Sequence, residues 1–239
     1  MGRAPRSTVA GMVYHLLNRR VMRLPLFEKD GDYAAFERVL AQGLARPDAP
    51  ALLAYCLMPN HWHLAVQATT KTNLSTWMQW VSVTHTHRWH GHRHSVGEGP
   101  LYQGRFKSFP VASDEHFLIL CRYVEANPLR AGLVPAGRAQ DWRWGSLGRR
   151  QGPGIGSLAA GERPVLADWP VTRPGAVPWL AEVNGRQAEA ELERVRQSVA
   201  RCCPLGGPKW VKRTVAALGL ETTLRPRGRP RKAEEKTAI

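Results

Sequence analysis

The feature that most restricts the fold is a hairpin legible in residues 51–68. ALLAYCLM (51–58) is a continuous apolar run with the length of one buried strand. HWHLAVQA (61–68) then alternates, with Trp62, Leu64 and Val66 on one side and His61, His63 and Gln67 on the other. Only Pro59-Asn60, a turn signal, separates the two, so the strands run antiparallel.

The flanking segments extend this hairpin into a recognisable order. VYHLLNR (13–19) is short, apolar and β-prone, and predicts an opening strand. Tyr33, Phe36, Leu40 and Leu44 recur at helical spacing, with Asp30 and Asp32 placed to cap the start. After the hairpin, residues 73 to about 88 return to a helical pattern through Leu74, Trp77 and Val81, with Trp80 and Thr84 near the same side. LYQGRFKSFPV (101–111) predicts a strand broken by Gly104. Ser113 or Asp114 caps a third helix reaching Asn127, where Pro128 disfavours continuation. The β-α-β-β-α-β order predicts an α+β fold of the ferredoxin-like (split βαβ) kind: an antiparallel sheet with helices on one face and the other face free for a site.

Composition shifts after Leu147, which predicts three parts: 1–147 as the first folded unit, 148–185 as a Gly/Pro-rich linker, and 186–239 as a helical extension with a basic tail. In the extension Leu192, Val195 and Val199 are spaced as on a helix, and KWVKRTVAALGL (209–220) is helix-prone. RPRGRPRK (225–232) carries Arg225, Arg227, Arg229, Arg231 and Lys232 between Pro and Gly, and is expected to be extended and flexible without a partner.

Charge narrows the function classes. Lys and Arg number 34 against 19 Asp and Glu, a formal +15, which points to a polyanionic partner. No apolar run approaches the roughly 18 residues of a spanning helix, and the N-terminus lacks a signal-peptide core, so the expected setting is cytoplasmic and nucleoid-associated. Cys56, Cys121, Cys202 and Cys203 have no C-x-x-C spacing, and neither a disulfide framework nor a structural zinc site is expected.

Two residue groups carry chemistry. His61 and His63, at i and i+2 of a strand, project from one face and can reach one metal while Trp62 packs behind them. H-x-H spacing recurs at 85/87, 90/92 and 92/94, so the pair gains weight only from its place on a central strand; otherwise it is two polar residues on an open sheet face. On the third helix Phe117, Leu120, Cys121 and Val124 form the apolar stripe, and Tyr123 and Asn127 share a face beside it. Either they are a half-buried tyrosine and a polar helix end, or a phenol nucleophile with an amide oxygen completing a metal site. A phenol with pKa near 10 is a poor nucleophile at neutral pH. A divalent ion on the scissile phosphate polarises it, and tyrosine attack stores the bond for rejoining without ATP.

AYCLMPNHWHLAV (54–66), GPLYQGRFK (99–107) and RYVEANPLRAGLV (122–134) together resemble the REP-associated tyrosine transposases, members of the HUH single-strand nucleases related to single-tyrosine insertion-sequence transposases. PLGGPKWVKRTVAALGLETTLRPRGRPRK (204–232) is similar to the tail of that family. The resemblance implies that His61 and His63 are metal ligands, Asn127 the third ligand and Tyr123 the nucleophile. It further implies Mg²⁺ or Mn²⁺ as the ion, single-stranded DNA with folded hairpins as substrate, and a covalent 5′-phosphotyrosine that leaves a free 3′ hydroxyl. The family often has Trp where this chain has Tyr102, before Gln103-Gly104-Arg105.

Several assignments stay open at this level. Arg105, Lys107 and Arg130 either hold phosphates near the site or are ordinary surface charge. The tail either follows a minor groove as an AT-hook does or attaches generically to the backbone. HTHRWHGHRH (85–94) is either a solvated, DNA-facing helix end or an extra metal site; His87, His90 and His94 share a face only if the helix survives Gly91. A basic hairpin-binding module with an unused metal site and a hydrolytic metal nuclease are the competing functions, and the chain is expected as a monomer or homodimer.

Overall fold

The structure, a computed structural model, describes residues 7–151, 161–173 and 177–225. Strands β1 (Val13–Arg19), β2 (Ala51–Met58), β3 (His61–Gln67) and β4 (Lys107–Val111) form one sheet in the order β2-β3-β1-β4. Every pairing is antiparallel, and Leu17 of β1 stands opposite His63 of β3 and Lys107 of β4. Helices α1 (Asp30–Leu44) and α2 (Leu74–Arg93) make the crossovers, so the expected split βαβ topology is what the chain adopts.

The caps are local. Asp32 Oδ2 accepts the Glu28 and Lys29 amides at 2.9 and 3.3 Å, and Asn73 Oδ1 accepts those of Ser75 and Thr76 at 3.1 Å each. α1 and α2 pack closely at Gly43, whose carbonyl accepts Trp77 Nε1–H at 2.8 Å. α2 outruns its expected end and passes Gly91. Buried Trp89 anchors its last turns, giving Nε1–H to the Leu26 carbonyl at 3.0 Å with Arg20 and Arg93 stacked on its ring. The fourth strand is shorter than the 101–111 predicted, because residues around Gly104 leave the ladder (φ 158°): Lys107–Val111 forms the strand on β1, and before the break Gln103 N–H still reaches the Arg19 carbonyl at 2.9 Å.

Alternation along the strands divides the core. Tyr14, Leu16, Trp62, Leu64 and Val66 pack under α1 and α2 with Phe36, Leu40, Trp77 and Val81. Val13, Ala65, Phe109 and Val111 point the other way. That second face differs from the open surface expected. Helix α3 (Glu115–Glu125) lies on it through the predicted stripe Phe117, Leu120, Cys121 and Val124, all fully buried. The physical reason is that this face is itself apolar over most of its area and must be covered. α3 breaks at Ala126, and Pro128 sits in the first turn of the single-turn α4 (Asn127–Arg130).

The chain after α4 returns to the same domain. Ser146, which opens α5 (Ser146–Gln151), donates to Glu125 Oε1 at 2.5 Å and accepts the Tyr55 amide at 3.0 Å. Trp179, at the start of α6 (Trp179–Asn184), donates to Glu125 Oε2 at 2.6 Å. Arg149 meets the buried carboxylate of Glu37 at 2.6 Å. Residues 161–173 also lie against the core: the Leu52 carbonyl takes Ala167 N–H at 2.8 Å, and Trp169 stacks edge-on against Phe117. α7 (Glu189–Arg201) packs against α3 and β4, Leu205 bonds to β4, and α8 (Pro208–Leu218) and α9 (Glu221–Leu224) complete the described chain. Among the described residues no helix is long and apolar enough to cross a membrane. The four cysteines are free thiols.

Candidate active site

The second sheet face carries a polar patch among its apolar residues. His61 and His63 project there from β3, with ring centroids 4.9 Å apart at 81°, while Trp62 is fully buried on the opposite face. β1 is antiparallel to β3, and its odd-numbered residues share that face, which brings in His15 and Arg19. His15 Nε2 lies 2.9 Å from His63 Nδ1, and the two rings stack at 5.1 Å. Asn60 Oδ1 lies 2.6 Å from His61 Nδ1.

α3 delivers the tyrosine. Its apolar stripe docks on the sheet, which sets Tyr123, on the flank of that stripe, edge-on to His63 with centroids 5.8 Å apart. Tyr123 is half-buried rather than sealed in the core. One turn on, Asn127 gives its amide nitrogen to the Tyr123 carbonyl at 3.0 Å, which leaves Oδ1 as the atom it can offer a ligand. Arg130 lies 4.4 Å above the Tyr123 ring and also donates to the Tyr123 carbonyl.

The electrostatics keep these imidazoles neutral. Burial, with the Arg19 charge nearby, pulls His61 down to about 4. Burial pushes His63 well below the ordinary histidine range, and it brings His15 to about 3 with help from His61. Neutral imidazoles have lone pairs at physiological pH, so the donor set suits a divalent cation.

The remaining sequence candidates distribute unevenly. Arg105 and Lys107 line a groove of about 510 Å³ together with Arg19 and, from α7, Arg201. Lys107 Nζ donates to the Val199 carbonyl at 3.2 Å, which fastens α7 to this groove. Arg225 is exposed just past α9, whereas Arg227, Arg229, Arg231 and Lys232 lie outside the described residues. The histidine-rich stretch is not uniformly solvated: His85 is buried and bonded to Tyr102 Oη at 2.7 Å, and His90 pairs with Ser95 Oγ at 2.9 Å. Among the described residues the His/Cys/Asp/Glu cluster with metal-ligand spacing is Asp114, Glu115 and His116 at the start of α3, about two turns from Tyr123. Sequence reasoning missed His15, Asn60, Arg19 and Arg201. A lone histidine inside VYHLLNR reads as core, and only the β1–β3 register shows where it points.

Known proteins give the following likenesses. A family model described as "Transposase IS200 like" matches residues 8–127, the sheet and α3 included. A solved structure of a REP-associated tyrosine transposase bound to a REP hairpin superposes with TM-score 0.52 at 16% identity, covering 74% of this chain and 100% of that one. Such identity shows a shared fold. A crystal structure of a Deinococcus radiodurans R1 protein, described as a transposase candidate, gives TM-score 0.36 at 16% identity, covering 55% of this chain and 92% of that one. No curated protein matches the chain.

Proposed function

The chain belongs to the IS200-like transposase family, and from that premise we propose that it cleaves and rejoins single-stranded DNA at hairpin-forming, REP-like elements through a covalent phosphotyrosine at a 5′ phosphate. The observation that carries this reading is the grouping of His61 and His63 with Tyr123 on one sheet face, at ring separations of 4.9 and 5.8 Å. The solved hairpin complex with the same fold supports the hairpin substrate.

In this reading Tyr123 Oη attacks the scissile phosphorus as the bond to the 3′ oxygen breaks. The phenolic proton leaves to solvent, and the 3′ oxygen takes one up. One phosphate ester replaces another, so the reverse attack by a 3′ hydroxyl reseals a strand without ATP. His61, His63 and Asn127 Oδ1 would hold Mg²⁺ or Mn²⁺, which when bound supplies a Lewis acid for the phosphate. Arg130, stacked on the Tyr123 ring, keeps the phenol oriented and adds positive charge beside the anionic reaction centre. Arg19, Arg105 and Lys107 line the groove that guides the strand backbone to it. Residues 1–147 supply the chemistry, and 148–185, whose described residues pack on the core, lead into 186–239, a DNA-binding extension whose tail, Arg225 to Lys232, adds phosphate contacts. The protein acts in the cytoplasm at the nucleoid, as a monomer or homodimer.

Tyr123→Phe tests the assignment on denaturing gels, with hairpin oligonucleotides labelled at either end and Mg²⁺ or Mn²⁺ present. The variant is expected to retain binding and lose both cleavage and the protein–DNA adduct. Persisting cleavage would instead identify a hydrolytic nuclease.

A further inference from the structure

Both candidate ligand rings are tied at Nδ1. Asn60 is itself held from two sides: its Nδ2 donates to the Arg23 carbonyl at 3.2 Å, and its carbonyl accepts Arg20 N–H at 3.0 Å. With the amide nitrogen committed there, Oδ1 is the atom that faces His61, and it can only accept. His61 Nδ1 therefore carries the ring proton, and Nε2 keeps the lone pair. At His63 the partner is His15 Nε2, 2.9 Å away, and this bond admits either direction.

His15 is a costly residue if packing is its role. It is fully buried, lies tilted against the Phe109 ring with centroids 4.9 Å apart, and its Nδ1 has no hydrogen-bond partner among the described residues. A phenylalanine or leucine would fill that volume without desolvating a ring nitrogen. What an apolar residue would not supply is an acceptor for His63 Nδ1–H. If His15 accepts, its own proton sits on Nδ1, the unpartnered atom, and His63 is left with a lone pair on Nε2. If the bond runs the other way, His63 carries its proton on Nε2 and is no ligand at that atom.

We propose that His15 and Asn60 are positioning residues that hold His63 and His61 in the Nδ1–H form, so that both rings present Nε2 to one divalent cation. The inference rests on the metal reading of His61 and His63. It adds that the ligands are oriented before any ion arrives, by one contact from β1 and one from the turn that precedes β3.

Mn²⁺ binding to the full-length protein, followed by electron paramagnetic resonance of the free ion, tests it. His15→Phe and Asn60→Ala are each expected to weaken Mn²⁺ by about 10- to 100-fold. His15→Gln, whose Oε1 can accept the His63 proton, is expected to recover part of that loss. Binding by His15→Phe and Asn60→Ala within twofold of the unmodified protein overturns the proposal, as does a His15→Gln no better than His15→Phe. His61→Ala and His63→Ala separate the two levels: if they bind Mn²⁺ as the unmodified protein does, the metal reading itself falls. Should His15→Phe fail to fold, ¹⁵N spectra of the unmodified protein decide, since Nδ1–H on both rings is required and Nε2–H on His63 refutes it.

Discussion

Acid should destabilise this protein through His85, which lies outside the candidate site. Trp62 Nε1–H donates to Tyr102 Oη at 3.1 Å, and Tyr102 Oη lies 2.7 Å from His85 Nδ1. The hydroxyl has one proton, so it accepts from the indole and donates to the imidazole, which must be unprotonated at Nδ1. Protonating His85 reverses the second bond and orphans the hydroxyl proton inside a shell of Phe27 and Phe36. Burial accordingly lowers His85 from 6.5 to about 3. The sign follows from linkage. The unfolded state takes up the proton below about pH 6.5 while the folded state does not, so stability is intact above that pH and is lost as pH falls toward the folded value. At about pH 5 the contribution is 1.5 pH units at 1.36 kcal/mol each, or about 2 kcal/mol. Urea denaturation of the unmodified protein and of His85→Gln, at about pH 7.5 and about pH 5, isolates this group, because both proteins share every other titration. The stability difference between them should shrink by about 2 kcal/mol at the lower pH. Curves that stay parallel within about 0.5 kcal/mol would refute the hydrogen-bond direction argued here.

Three further outcomes are expected. Arg149→Met strands the Glu37 carboxylate, 1% exposed, and should cost about 3–5 kcal/mol in urea denaturation, with Glu37→Gln/Arg149→Met recovering much of it. Gly43→Val should lower stability by about 1–3 kcal/mol, because a Cβ at Gly43 already meets Val81 Cγ2 at 2.9 Å; a melting temperature equal to the unmodified protein's would show that α1 and α2 can separate freely. Deleting residues 225–232 removes five cations and should make the slope of log K against log salt for single strands shallower by about 3–4, leaving turnover at saturating DNA unchanged. Lost turnover with an unaltered slope would put the tail in the active site.

Local chemistry made the strands readable. The bounds of β1 and β2 are those of the apolar runs 13–19 and 51–58, and the alternation in β3 correctly puts His61 and His63 together with Trp62 behind. The stripe on α3 and the break near Pro128 were legible for the same reason. What local pattern does not carry is partnership across the sheet. The cover on the second face depends on α3 meeting β2 and β3, and His15 acquires meaning only from the register that sets Leu17 opposite His63. Residues 161–173 and 177–184 fall in the stretch that reads as linker because they are held by single tryptophan contacts, Trp169 on Phe117 and Trp179 to the Glu125 carboxylate, not by any periodicity. Tyr102 and His85 are a further case of partnership that neither position reveals alone: each is intelligible only as the other's hydrogen-bond partner.

The hydrogen bonds that later residues make to β2 and β4 also bear on solubility. These are the two outermost strands, whose free amides and carbonyls would otherwise be templates for pairing with another chain. On β2 the Leu57 amide is bonded to the Trp144 carbonyl, the Leu57 carbonyl to Trp142, the Leu53 carbonyl to Trp169 and the Leu52 carbonyl to Ala167. On β4 Leu205 exchanges bonds with Pro110 and Ala112. Both rims of the sheet are thus finished by residues far along the chain, and self-association by strand addition is blocked on either side. A nascent chain that has emerged only as far as α5 lacks four of these six bonds, which makes the interval before residues 167–205 are synthesised the time of greatest exposure to aggregation.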